Sequence, residues 1–146
     1  MTASILRDVS PLSDAFRHTL EWERLPTDDL EEPGHLFFSL GDDERVFGYV
    51  GLEGTGPDAL LRSLVVKRPY VGQGYGRLLV ERLEELCRLG TVERLHLLTN
   101  GTAPFFRRLG YVDADRTSAP PAIAGSAQFR SLCPASASYM VKALTV

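Results

Sequence analysis

Between Leu60 and Val80 the sequence LLRSLVVKRPYVGQGYGRLLV changes its hydrophobic period: an apolar run suited to a buried strand passes through a glycine-rich turn into a helical pattern. That succession confines the chain to folds in which helices pack on a sheet. Gly72, Gly74 and Gly76 alternate within the turn. Lacking Cβ atoms, they permit positive φ and close approach of a ligand, so that successive N–H groups converge on one anion. The following helix adds the positive end of its dipole. A phosphate or pyrophosphate is the expected ligand. The alternative is a turn that only joins strand to helix, for which one glycine would suffice.

The elements around this turn follow from periodicity and breakers. Ile5 to Val9 alternates as a short strand, and Ser10-Pro11 opens a helix with a stripe of Leu12, Ala15, Phe16, Leu20 and Leu25, ended by Pro26. His35 to Leu40 and Arg45 to Leu52 flank Gly41-Asp42-Asp43-Glu44, which predicts an antiparallel hairpin. A further turn leads to a strand over Ala59 to Val66. After the glycines, Leu78, Leu79, Leu83, Leu86 and Leu89 lie at helical spacing up to Gly90. A strand at Glu93 to Thr99, a short helix at Ala103 to Leu109, a strand entered at Gly110 and a last strand near Ser136 to Leu144 complete a mixed α/β pattern. A loop with one short helix at Pro121 to Phe129 precedes that last strand.

With 146 residues, 44% of them hydrophobic, the chain fits a single domain over residues 1–146 with one core. Its net charge of −3 gives no basic footprint for nucleic acid. No apolar run approaches the ~20 residues of a membrane span, and MTASILRDVS lacks the apolar core of a signal peptide. The expectation is a soluble cytoplasmic protein with neither membrane nor nucleic-acid partners. Cys87 and Cys133 stand apart without ligand spacing, which predicts free thiols and neither a metal nor a disulfide.

The turn is not a P-loop, which needs a lysine and a hydroxyl after the final glycine, and it is not GxGxxG, because Arg77 stands in the last position. A dinucleotide fingerprint would also follow the first strand, whereas several strands precede this one. Instead Val71-Gly72-Gln73-Gly74-Tyr75-Gly76, after Leu64-Val65-Val66, resembles the acetyl-CoA-binding motif of the GCN5-related N-acetyltransferase (GNAT) superfamily, Arg/Gln-x-x-Gly-x-Gly/Ala. LLTNGTAPFFRRLGY, Leu97 to Tyr111, resembles the second motif of that superfamily. LPTDDL at Leu25, LLRSLVV at Leu60 and PAIAGSAQFRSLCPAS at Pro121 are similar to its arsenic-resistance (ArsN-type) branch.

The resemblance implies an acyl-CoA N-acyltransferase fold: a splayed, mostly antiparallel central sheet flanked by helices, with the pantetheine arm in the splay against Leu64, Val65 and Val66. It implies acetyl-CoA as cosubstrate, its pyrophosphate held by N–H groups from Gly72 through Arg77. Val71 replaces the usual Arg/Gln, so one side-chain contact is missing. The implied reaction is direct acetyl transfer to a small amine or amino-acid-like acceptor, with arsenic resistance as the branch-level expectation. A protein or peptide N-acetyltransferase and a non-catalytic CoA-binding sensor are the rivals, and a homodimer is compatible with the chain.

Candidate chemistry is sparse. Glu53, after a strand, is the candidate base, and its alternative is a solvated turn carboxylate. Phe106 stands where the second motif often carries tyrosine, which leaves Tyr139 as the candidate acid against a packing role; Tyr111 reads as core. Arg62 and Ser63 interrupt an apolar strand and need partners, either an acceptor anion or an internal salt bridge. Cys133 is a further candidate wall of the acceptor pocket, against a buried small residue. His18, Glu21 and His35 are candidates to border that pocket, whereas His96 reads as structural.

Overall fold

In the computed structural model, which describes residues 5–132 and 136–144, a seven-stranded sheet has the order β1-β2-β3-β4-β5-β7-β6. The strands are β1 (Arg7–Val9), β2 (His35–Gly41), β3 (Val46–Glu53), β4 (Asp58–Val66), β5 (Arg94–Thr99), β6 (Val112–Asp113) and β7 (Ser138–Ala143). The helices are α1 (Asp14–Trp22), α2 (Tyr75–Arg88), α3 (Ala103–Arg108) and α4 (Pro121–Ala124). Every strand pair is antiparallel except β4 with β5, which matches the expected mixed sheet.

The two faces of the sheet carry separate cores. Leu79, Val80 and Leu83 of α2 pack with Phe38, Leu40, Val50, Leu52 and Leu61 on one face. Phe16 and Leu20 of α1 pack with Phe37, Tyr49 and Val65 on the other. The alternation of Phe37 against Phe38, and of Tyr49 against Val50, is the period of two that assigns side chains to faces. On the α1 face, Ile123 of α4 closes a third cluster with Leu60 and Tyr139.

The stripe expected in α1 is shorter than the sequence suggests. Ser13 caps the helix by accepting from the Phe16 N–H at 3.3 Å, so Leu12 falls before its first turn and is exposed, as is Ala15. The short helix expected within Pro121 to Phe129 is α4, and beyond it Gln128–Leu132 forms a π-helical turn. Among the described residues, no helix is long and apolar enough to cross a membrane.

One irregularity positions the candidate site. Tyr49 opposes Val65, yet Gly51 opposes Arg62, so Val50 faces both Ser63 and Leu64. This is a bulge, and Ser63 carries it at φ 56°, a left-handed conformation that costs a residue with a Cβ about 1–2 kcal/mol. On its other edge β4 pairs with β5 only through Asp58, Ala59 and Leu60. From Leu61 onward the two strands diverge, while β5 remains paired with β7 along its whole length.

Candidate functional site

The divergence opens a cleft of about 860 Å³. Leu61 to Val66 form one wall, Leu97 to Asn100 with Phe105 and Phe106 the other, and Glu23 to Pro26 lie across its mouth. β4 presents its unpaired backbone edge to this space, as the expected placement of Leu64, Val65 and Val66 requires. Val71, at the start of the glycine turn, lines the same cleft and is exposed.

The turn has the conformation its glycines foreshadow. Gly72 has φ 85° and Gly74 φ 89°, and a Cβ built on either would meet no protein atom within 4 Å. Their outward side is therefore open. Gly74 caps α2, so the N–H groups of Tyr75, Gly76 and Arg77 have no partner inside the helix and are available to an anion. Gly76 plays a different part: its Cβ would lie 3.4 Å from Phe105 and 3.6 Å from Val66, so it lets the start of α2 pack closely. Tyr75 stacks on Phe47 with centroids 4.3 Å apart. Gln73 Nε2 reaches the Pro69 carbonyl at 3.4 Å, and Arg77, well exposed, donates to Glu81 at 2.9 Å. The Arg77 guanidinium is thus engaged along the helix surface.

Arg62 resolves between its two readings in favour of the internal ion pair. Its side chain is fully buried, with Nη1 2.6 Å and Nη2 2.7 Å from the two oxygens of Asp29. Nη1 also donates to Glu53 at 3.1 Å and Nε to Ser63 Oγ at 3.2 Å. In the amide orientation that satisfies both groups, the Gln128 oxygen accepts from Arg62 as well. Room for the arginine stem comes from Gly51, whose Cβ would lie 3.2 Å from Arg62 Cγ and 2.8 Å from Phe37. Burial raises the Asp29 pKa, but the Arg62 hydrogen bonds and charge outweigh it and hold the carboxyl below the usual range.

Glu53 and His35 complete this cluster, with Glu53 Oε1 3.1 Å from His35 Nε2. Asp29, His35 and Glu53 each bring one metal-type ligand atom within 4.8 Å of the others, but the Arg62 cation already sits against both carboxylates. Glu53 lines a smaller pocket of about 260 Å³ with His35 and Asp58, and Arg62 stands between that pocket and the main cleft. His18 and Glu21 are on the exposed side of α1.

Below the divergence a buried chain runs from Asp58 to His96 to Tyr139. His96 Nε2 lies 2.8 Å from Asp58 Oδ1, and Nδ1 lies 2.7 Å from the Tyr139 hydroxyl. One proton arrangement satisfies all three groups: the phenol donates to Nδ1 and Nε2–H donates to the carboxylate. Arg94 also clamps Asp58 at 2.7 and 3.1 Å; its hydrogen bonds, with that of His96, lower the Asp58 pKa against the effect of burial. Burial and the Asp58 charge raise the phenol. Tyr139 does not line the main cleft, and its oxygen is turned to His96. Phe106 does line it and offers no hydroxyl; Tyr111 is core, donating to Glu84 at 2.9 Å. Cys133 lies outside the described residues. Cys87 is buried and free, its thiol pushed up to about 11 by burial and then by Glu84.

Sequence reasoning missed Asp29 and Gln128 as partners of Arg62, and Asp58 as the partner of His96. The available signal was Arg62 itself: an arginine on an apolar strand demands a buried carboxylate from elsewhere.

Comparison with known proteins agrees with this geometry. A family model described as "Acetyltransferase (GNAT) family" matches residues 4–111. N-alpha-acetyltransferase 80 of Mus musculus is 44% identical over 52 residues, which are 36% of this chain and 17% of that protein. N-acetylglutamate synthase from Neisseria gonorrhoeae, complexed with coenzyme A and L-arginine, superposes with a TM-score of 0.72 at 17% identity, covering 97% of this chain and 34% of its own. Rv2747 from Mycobacterium tuberculosis, solved in complex with CoA, gives 0.74 at 19% identity, covering 97% and 99%. The chain thus spans about a sixth of the curated relative and a third of the synthase.

Proposed function

Because the chain belongs to the GNAT family of acetyltransferases, we propose that it transfers acetyl directly from acetyl-CoA to the amine of a small, amino-acid-like acceptor. The observation that carries this reading is the parting of β4 from β5 after Leu60, beside a turn whose glycines face open space. In this reading the pyrophosphate lies on the N–H groups from Gly72 to Arg77, and the pantetheine arm runs along Leu64 to Val66 into the cleft. An acceptor amine enters from the side of Glu23 to Pro26. Its nitrogen attacks the thioester carbonyl, the C–S bond breaks, and the thiolate takes up a proton. Alignment in the cleft and a backbone N–H on the carbonyl oxygen supply most of the acceleration.

The acceptor ammonium must first lose a proton. Glu53 is the base we assign, acting through water from the smaller pocket, since Arg62 donates to its Oε1. Tyr139 stays on His96 in this reading, and the departing thiolate is protonated by water; a thiol ionising at about 8.5 leaves without a dedicated acid. The resemblance to the arsenic-resistance branch carries the expectation of a role in arsenic resistance. The similarity to N-alpha-acetyltransferase 80 favours a second reading, in which the acceptor is a peptide N-terminus.

Time-resolved release of the CoA thiol against a panel of amines and short peptides tests the proposal. Acceptor-dependent release supports it. Tight acetyl-CoA binding with no release for any acceptor overturns it in favour of a CoA-binding sensor. For Glu53, the Glu53→Gln variant is expected to lower turnover, keep acetyl-CoA affinity and alter the pH–rate profile. An unaltered profile would remove Glu53 from the mechanism.

A further inference from the structure

Helix α1 ends in an unusual way for the residue involved. The Leu25 N–H bonds the Leu20 carbonyl at 2.8 Å and the Arg24 N–H bonds the Glu21 carbonyl at 3.0 Å, the paired bonds of a Schellman cap. The cap requires a left-handed residue, and Arg24 supplies it at φ 60°. Glycine is the residue this position favours, because a Cβ is strained there. A long cation held at such a position points to a use for the side chain.

Arg24 lines the mouth of the main cleft, and its surroundings leave the charge unmatched. Glu23, the one carboxylate lining the cleft among the described residues, is paired with Arg68 at 3.1 Å, and Arg68 also lies over Trp22 at 5.9 Å. Arg62 is neutralised by Asp29 and Glu53. Among the described residues, Arg24 has no ion-pair partner. The rim therefore offers an accessible guanidinium above apolar walls, and such a group binds a carboxylate or phosphate-like anion in a fork.

Two sources could bring that anion, the cofactor or the acceptor. The two helices lie on opposite faces of the sheet: α2, whose N-terminus follows the glycine turn, packs on one, and α1, whose C-terminal cap includes Arg24, packs on the other. We infer that Arg24 is a specificity residue that takes an anionic group on the acceptor, so that preferred acceptors carry a carboxylate or similar oxyanion close to the reacting amine. This rests on the transfer reaction proposed above.

The test compares the wild-type protein with Arg24→Gly and Arg24→Lys on matched pairs: glutamate with glutamine, aspartate with asparagine, and the dipeptides Asp-Ala with Asn-Ala. Thiol release gives kcat/KM for each, and calorimetry gives the affinities of CoA and dephospho-CoA. The wild type is expected to prefer the acid of at least one pair by about tenfold or more. Arg24→Gly should bring that ratio near one while raising the thermal midpoint, since glycine relieves the strained cap. Arg24→Lys should recover part of the preference. CoA and dephospho-CoA should bind all three proteins alike.

A ratio near one in the wild type overturns the inference, as does a ratio that survives in Arg24→Gly. Loss of CoA affinity without loss of dephospho-CoA affinity also overturns it, and assigns the arginine to the cofactor phosphate. Release with neutral amines alone defeats this inference and leaves the transfer reaction standing; release with no acceptor defeats both.

Discussion

The two halves of β4 show opposite solutions to the same problem. From Asp58 to Leu60 the strand is paired with β5, at Leu60 with β3 as well, and the Asp58 side chain is tied to Arg94 and through His96 to Tyr139. From Leu61 to Val66 it is paired on one edge only, and its other edge lines an open cleft. Arg62 and the Ser63 bulge stand at the join. The closed half spends side-chain chemistry on holding the sheet, whereas the open half leaves its main chain to a ligand. A strand can thus be rigid enough to orient a cofactor and still present unpaired backbone, provided that the two duties fall on different residues.

The largest test of this contrast is Arg62→Met. It strands Asp29 and Glu53 in the interior, and by analogy with other buried ion pairs should cost about 3–5 kcal/mol in denaturant unfolding. Acid titration gives an independent reading. Asp29 has a folded pKa below its unfolded value of about 3.9, so its contribution is complete above that value and is lost as pH falls through the folded pKa. In the variant the unpaired carboxylates gain from protonation, and mild acid should stabilise it relative to neutral pH. A parallel pH dependence in both proteins would show that the cluster does not hold the join.

His96→Phe should cost less, about 1–3 kcal/mol, because it leaves the Tyr139 hydroxyl and one side of Asp58 without a partner. If the halves are independent, CoA affinity measured by calorimetry is unchanged. A large fall in that affinity would show that the closed half shapes the cleft directly.

Gly74→Val probes the open half. The left-handed φ imposes about 1–2 kcal/mol of strain, and the side chain would occupy the free space above the turn, so CoA affinity should drop. Unchanged affinity would mean that the turn serves only as a connection. The smallest effect is expected from Val71→Gln, which restores a polar side chain at the cleft: CoA should bind more tightly by up to about 1 kcal/mol. No gain would show that the backbone donors already saturate the phosphates.

The sequence made most of the fold legible where a period was long and uninterrupted. The pattern of α2 and its glycine stop, and the hairpin of β2 and β3, lie close to their expected bounds because each buries one regular face. The cap at Ser13 was less visible, since Leu12 and Ala15 continue the apolar stripe beyond the helix's buried face. At the site, the phosphate turn could be read from its glycines, because backbone freedom is written in residue type. The partners of Arg62 could not: Asp29 lies 33 residues away and reaches it only after Gly51 leaves room for the arginine stem. The use of Arg24 was hidden for a similar reason, since its meaning depends on a φ angle.

The bulge at Ser63 also explains what kind of change this cleft can absorb. Leu61 and Leu64, three residues apart, face the same core only because one extra residue is inserted between the two registers. Deleting Ser63 would place Leu64 directly after Arg62 in regular alternation, keeping Leu64, Val65 and Val66 on their present faces but removing the extra residue that bends β4 beside the cleft. Replacing the side chains there would leave that extra residue in place. The bend of β4 at the cleft therefore rests on the number of residues between Arg62 and Val65 as well as on which residues they are.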